Sequence, residues 1–400
     1  MAFKIKQKAF NWLKKQGIHV RTTRHQPFLQ NVRPMQQAHF AKRSQLPRRA
    51  LVSYITRPFT LPDYFTHTNG FESQIIADVL TELGFVVDVI DYFNDVTTPQ
   101  YSAYDLVFGF GEPFENSFLA ADCRAVRIYY GTGCHPLFQN AASIARLRDC
   151  HAETGVWLEN SARFIDKSYP MSTTLVDAVF AKGNDFVGKT YRMHFAGIVR
   201  TVETSSFLLH KSSPDSKNFA EARRHFLWFG SAGLLHKGLD LVLKTFAHRT
   251  DLTLHVCGHM AREPLFTQVF HRELYETPHI ITHDFVDIQG EKFAELMQQC
   301  AFAIFPSASE GGSPSQVNLM MNGGLIPILT ENCGLDVAPF GIEIADLTVE
   351  SVDAAVSKAL ELSDAELRQR TQQSLDYARQ HHTLDHFRET MKAHFLEVVP

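Results

Sequence analysis

Trp228-Phe229-Gly230-Ser231-Ala232-Gly233-Leu234-Leu235-His236-Lys237-Gly238-Leu239-Asp240 is the stretch that decides the fold. His225 to Phe229 reads as a buried strand, and Leu239 to Phe246 repeats its apolar residues at helical spacing. Between them sits a loop of small residues with one lysine. Strand, loop and helix in that order is half of a parallel α/β unit. Glycines at Gly230 and Gly233, with Ser231 between them, let backbone N–H groups approach an anion ahead of a helix N-terminus. Lys237 adds a mobile point charge suited to a diphosphate. This is no Walker loop, because no Ser or Thr follows the lysine. Taken alone, the segment also fits an ordinary strand–helix turn with a solvated lysine.

A second segment repeats the arrangement: Phe305-Pro306-Ser307-Ala308-Ser309-Glu310-Gly311-Gly312-Ser313-Pro314-Ser315, then Val317 to Met321 and Gly323-Gly324-Leu325-Ile326-Pro327. Glu310 stands at the mouth of the loop, where it can accept hydrogen bonds from sugar hydroxyls. The N–H groups of Gly311 to Ser313 can face phosphate oxygens. Glu310 can equally cap the helix that follows.

Working outward, Leu252–Val256, Ile280–Phe285, Ala301–Phe305 and Leu325–Leu329 read as further strands, with a helix near Lys292–Cys300. Upstream, Ala50–Ile55, Phe85–Ile90, Asp105–Phe110, Arg127–Tyr130 and Ala178–Ala181 are strands, and Glu72–Leu83 a helix stopped by Gly84. The polar stretch Ser212–Lys217 divides the two series. The expected fold is α/β, with two doubly wound Rossmann-like domains facing across a cleft. The expected division is a basic arm over 1–48, an acceptor-side domain over 49–211, a donor domain over 218–364, and closing helices over 365–400.

The two loop segments, in this order and separation, resemble the donor domain of the group 1 retaining glycosyltransferases, which have the GT-B fold. That family carries a glycine-rich loop with a Lys–Gly pair, a PSxxEG segment, a helix, and a Gly–Pro element before a strand. The resemblance covers roughly residues 225 to 340. It implies that Lys237 neutralises the donor pyrophosphate, that Glu310 engages the transferred sugar, and that Gly311 and Gly312 approach sugar and diphosphate. It implies transfer from a nucleotide diphosphate-sugar with net retention.

This chain departs from the family at three points. Ser231 and Ala232 occupy the region of the family's arginine. The loop from Gly230 to Lys237 is one residue longer than the family's. A second glutamate, expected for the ribose, is replaced by Asn318, or by Leu319 if the register is set from Gly324. The loops Cys257-Gly258-His259 and Asp284-Phe285-Val286 correspond to the base-binding region, where Phe285 either stacks on a base or belongs to the core.

The N-terminal half carries fainter signals. Thr68-Asn69-Gly70-Phe71-Glu72-Ser73 precedes its first helix, where the family has a glycine loop near the diphosphate. Tyr130-Gly131-Thr132-Gly133-Cys134-His135 follows a strand, where the family often places a histidine facing the reaction centre. His135 is therefore the acceptor-side candidate, ahead of His67 and His151, although with 20 histidines in the chain a lone one is usually structural. Gln139 and Asn140, one turn on, are candidates for acceptor hydroxyls or for caps.

The net charge of −4 conceals an asymmetry: residues 1–49 hold twelve Lys and Arg, and no acid precedes Asp63. On a helix at about 100° per residue, Phe3, Ile5, Phe10, Trp12 and Leu13 fall opposite Lys4, Lys8, Lys14 and Lys15. Such a face suits an anionic membrane surface touched through residues 1–17, and equally a helix docked on its own body or a transit peptide. No apolar run is long enough to span a bilayer. Six scattered cysteines without CxxC spacing fit a reducing compartment, so a cytoplasmic location is expected, peripheral on the inner face of a membrane if the arm binds it.

The expected partners are a nucleotide-sugar donor and a glycan or lipid-linked acceptor, with no nucleic acid. No Asp-x-Asp-like pair stands at a strand end, so no metal or other cofactor is expected. Two alternatives remain open: a sugar-nucleotide epimerase, and a non-catalytic nucleotide-sugar-binding protein with a degenerate donor site. A dinucleotide-dependent dehydrogenase is disfavoured because no GxGxxG opens a helix.

Overall fold

The computed structural model describes residues 27–33, 47–61, 68–165, 170–210 and 213–399. The amphipathic segment 1–17 and His67 lie outside them. Among the described residues no helix is long and apolar enough to cross a membrane, and the six cysteines are free and buried.

The first sheet contains β1 (Phe28–Leu29), β2 (Arg48–Tyr54), β3 (Phe85–Asp91), β4 (Leu106–Gly109), β5 (Val126–Gly131), β6 (Ala178–Lys182) and β7 (Ile198–Val202). Their order is β1-β3-β2-β4-β5-β6-β7. Only the edge strand β1 is antiparallel. The inner strands are apolar on both faces because helices cover both sides. The second sheet contains β8 (His225–Phe229), β9 (Thr253–Cys257), β10 (Ile280–Asp284), β11 (Phe302–Phe305), β12 (Ile326–Leu329) and β13 (Ile342–Glu343). It is wholly parallel in the order β10-β9-β8-β11-β12-β13. That is the Rossmann order 3-2-1-4-5-6, whose direction reverses between β8 and β11.

Six helices position the site: α1 (Thr68–Glu82), α2 (Pro136–Thr154), α3 (Leu239–Ala247), α4 (Pro314–Gly323), α5 (Asp364–His381) and α6 (Leu384–Val398). Helix α2 starts from the first sheet yet seats on the second half, where Leu147 and Cys150 share a core with Trp228, Leu234 and Leu239. The contact includes a buried ion pair, with Arg146 Nη2 donating to Asp240 Oδ1 and Oδ2 at 2.7 and 2.6 Å. Helix α5 packs against β12, Ser374 Oγ donating to Leu325 O. The chain then crosses back, and Phe387, Met391 and Phe395 of α6 fill the core of the first sheet beside Val52, Phe108 and Phe180. Two Rossmann-like parallel sheets therefore face one another in the GT-B arrangement.

Candidate active site

The carboxyl ends of both sheets open onto one cleft of about 570 Å³. In the second sheet, the loops after β8 and β11 are the two segments singled out from sequence, and those strands flank the point where strand order reverses. Open α/β sheets bind ligands at that point, because diverging loops leave a crevice there. From this side Gly230, Ser231, Lys237, Phe285, Glu310, Gly311 and Asn318 line the cleft. Of the two residues offered for the missing glutamate, Asn318 reaches the cleft and Leu319 lies in the core.

Lys237 and Glu310 form a buried pair, Nζ to Oε1 2.8 Å. Ser307 Oγ donates to the same oxygen at 3.0 Å. The other oxygen, Oε2, lies 3.3 Å from Arg163 Nη1. Burial alone would raise the Glu310 carboxyl, but Lys237, Arg163 and His236 outweigh it and hold it at about 2. Burial draws the Lys237 ammonium below its ordinary value, with Glu310 opposing. Glu310 is thus a fixed anion between two cations. It keeps acceptor capacity for a hydroxyl, since an ionised carboxylate offers about four lone-pair directions.

Arg163 carries no motif and was invisible in the sequence. It comes from the loop after α2, and that loop is pinned on every side. Gln139 Nε2 donates to Arg163 O at 2.8 Å, and Asn140 pairs with both backbone groups of Ile165. Ser161 O accepts from His236 N at 3.0 Å. So Gln139 and Asn140 position this loop, with Gln139 also lining the cleft. The Arg163 stem lies across Gly233, where an added Cβ would stand 2.5 Å from Arg163 Cγ. A side chain at 233 would displace the arginine.

Several expectations need correction. Gly233 N and Leu234 N do not face the cleft; they donate to the Glu263 carboxylate at 2.6 and 3.0 Å. The anion held by that turn is the protein's own. Gly312 and Ser313 also leave the cleft lining: Gly312 packs against Gly183 and Thr204, and Ser313 Oγ donates to Cys333 O. Gly311 stays at the wall because it abuts the opposite half, where an added Cβ would stand 2.3 Å from Thr132 O.

His135 caps α2 instead of facing the cleft. Its Nδ1 accepts from Leu137 N, and its ring stacks on His194 at 4.3 Å. Burial, then His194, lowers it to about 4, so it is neutral. Gly70 lies buried within α1, not in a loop before it; Thr68 and Asn69 line the cleft in its place. Phe285 is not core. It is 62% exposed and stacks parallel to His259 with centroids 4.6 Å apart, at the rim.

The facing wall consists of Tyr54, Ile55, Tyr92 and Phe110, with Thr132, Gly133 and Lys182. Tyr54 and Tyr92 contact Phe110 at ring distances of 5.6 and 4.8 Å. Lys182 is spoken for, since both Glu72 oxygens lie within 2.8 Å of its Nζ and Glu72 is fully buried. The walls already touch, Cys134 Sγ donating to Glu310 O at 3.3 Å.

No protein-family model matches the sequence. No curated protein matches it either. Solved structures do. HepE of Anabaena in complex with UDP-glucose superposes with a TM-score of 0.57 at 12% identity, over 88% of this chain and 100% of that one. A glycosyltransferase from Rickettsia africae gives 0.56 at 11%, over 88% and 99%. The α,α-trehalose 6-phosphate synthase of Burkholderia multivorans gives 0.55 at 12%, over 88% and 99%. At these identities the likeness is one of fold, and the fold that this chain has in common with them is GT-B.

Proposed function

We propose that this chain is a retaining glycosyltransferase that moves a sugar from a nucleoside diphosphate to an acceptor hydroxyl. The observation that carries the reading is the Lys237–Glu310–Arg163 cluster at the strand-order reversal of the second sheet. Two cations beside a buried carboxylate suit a ligand bearing both a diphosphate and sugar hydroxyls. HepE, which has this fold, binds UDP-glucose, and that supports the same donor class here.

In this reading Lys237 and Arg163 meet the charge that develops on the departing diphosphate, the largest electrostatic demand of the step. Arg163 supplies from the first half the second cation that Ser231 and Ala232 do not. Helix α4 begins at the wall with Pro314 and Ser315, its positive end toward the same charge. Glu310 accepts from a donor-sugar hydroxyl, Phe285 and His259 hold the base, and Asn318 reaches the ribose. The acceptor oxygen bonds to the anomeric carbon as the carbon–phosphate-oxygen bond breaks. Its proton passes to the departing phosphate oxygen on the same face, which retains configuration. The only carboxylates lining the cleft among the described residues are Asp287 and Glu310. Glu310 is engaged by two cations, so the paired carboxylates of a glycosidase are not available. The roles assigned to protein cations call for no metal.

The aromatic wall of Tyr54, Tyr92 and Phe110 suits the apolar face of an acceptor sugar, and a glycan or lipid-linked acceptor fits it. The test is a panel of nucleoside diphosphate-sugars with released nucleoside diphosphate as readout and anomeric analysis of the product. Transfer with retention supports the reading. Isomerised nucleotide-sugar without release would make the chain an epimerase, and binding without turnover a binding protein.

A further inference from the structure

The two stretches of chain that pass between the halves meet at one place. One leaves β7 through Glu203-Thr204-Ser205-Ser206; the other leaves α5 at His381 and joins α6 at Leu384. They are already tied together. Ser206 N donates to His382 O at 2.8 Å, and Thr204 O lies 2.7 Å from His382 Nδ1.

Beside these bonds, Glu203, His381 and His386 each offer one ligand atom, and the three atoms lie within 4.8 Å of one another. His386 Nε2 and Glu203 Oε2 are 3.4 Å apart. That matches the edge of a tetrahedron with bonds of about 2.0–2.1 Å to a central zinc. All three side chains are partly buried, so each is held yet reachable by solvent. Two imidazoles and one carboxylate are a nitrogen-rich donor set. Zinc and its neighbours in the first transition row take such sets, whereas magnesium and calcium require oxygen.

We propose that Glu203, His381 and His386 form a zinc-class metal site that fastens the two interdomain crossings, with a fourth position for water. Its ligands come from three elements: the end of β7, the end of α5 and the first turn of α6. A bound ion therefore links the chain leaving the first sheet to the chain returning to it. Occupancy stiffens the hinge about which the halves move. The site lies outside the cleft and stands whether or not the donor reading holds.

The full-length, tag-free chain is titrated with zinc by calorimetry and with cobalt as a visible-absorption probe. The expected result is one ion per chain, a tetrahedral cobalt spectrum and a zinc-dependent rise in Tm. His386→Ala and His381→Ala weaken zinc binding at least about tenfold, the scale of losses at metal sites. His271→Ala, an exposed histidine elsewhere, leaves it unchanged. Metal-free Tm reports whether each variant folds, and Glu203→Gln replaces any that does not. Absence of stoichiometric binding, equal binding by the ligand variants, or equal binding of magnesium overturns the proposal.

Discussion

On the wall built by the second sheet, Lys237 and Glu310 are buried ions held by loops that directly follow adjacent strands. On the facing wall, Tyr54, Tyr92 and Phe110 present rings, and a buried cation, Lys182, is neutralised by Glu72. A crevice with charge on one side and rings on the other orients a ligand that is itself polar at one end. In the proposed reading it would set a diphosphate against the second sheet and leave a ring-faced slot opposite. Arg163 breaks the division, since it belongs to the first half by chain and to the second by chemistry. The charged cluster in the cleft is therefore assembled from both halves, with Arg163 contributed by the loop after α2.

The largest expected effect is at the rivet between the walls. Arg146→Ala leaves Asp240 buried and unpaired, which costs about 3–5 kcal/mol in urea unfolding. Replacing both partners by apolar residues of similar volume costs clearly less. If the double variant is as unstable as the single one, the cost is not that of an unpaired buried charge.

Acid tests both walls at once. His135 and His236 are buried and neutral, each lowered by burial to about 4 from an ordinary value near 6.5. The unfolded chain binds more protons between those values, so stability is full above about pH 6.5 and is lost as pH falls toward 4. Each histidine contributes up to about 1.4 kcal/mol per pH unit in that window. Tm measured against pH should fall there, and His236→Gln should flatten the curve. A Tm independent of pH across the window contradicts the burial assigned to them.

Within the cleft, Lys237→Ala should lower kcat/KM by about 100-fold, or roughly 2.7 kcal/mol. Arg163→Ala should lower it by about tenfold. Its side chain is 42% exposed, so its removal should change unfolding free energy by less than about 1 kcal/mol. An Arg163 variant with full activity would return the diphosphate to the second sheet alone. The smallest effect is expected at the rim: Phe285→Ala should weaken nucleotide binding by about 1 kcal/mol in calorimetry, the worth of one stacked ring, with kcat unchanged.

The two walls also differ in how far they could be read. The strands of the second sheet and the loops carrying Lys237 and Glu310 were legible because each is a local pattern: an apolar run, small residues, a helix. Position at the strand-order reversal then follows from the fold. Glu263, Arg163 and Glu72 were not legible, because each reaches its partner across 29 or more residues, with no spacing to mark it. His135 was misread for a definable reason. His135-Pro136 opens a helix of 19 residues, and proline in the first turn is a start signal that makes the preceding residue a cap. Lys217 ends the polar stretch that divides the two series of strands, yet its ammonium is buried and donates to Cys300 O and Gly323 O. A charged residue in a polar run carries no sign of the carbonyls that wait for it.

The most direct test is a crystal structure of the chain with a bound nucleoside diphosphate. Phosphate oxygens are expected in hydrogen-bonding contact with both Lys237 Nζ and the Arg163 guanidinium, with the base against Phe285. A diphosphate seated elsewhere, with the Lys237–Glu310 pair untouched, contradicts that placement.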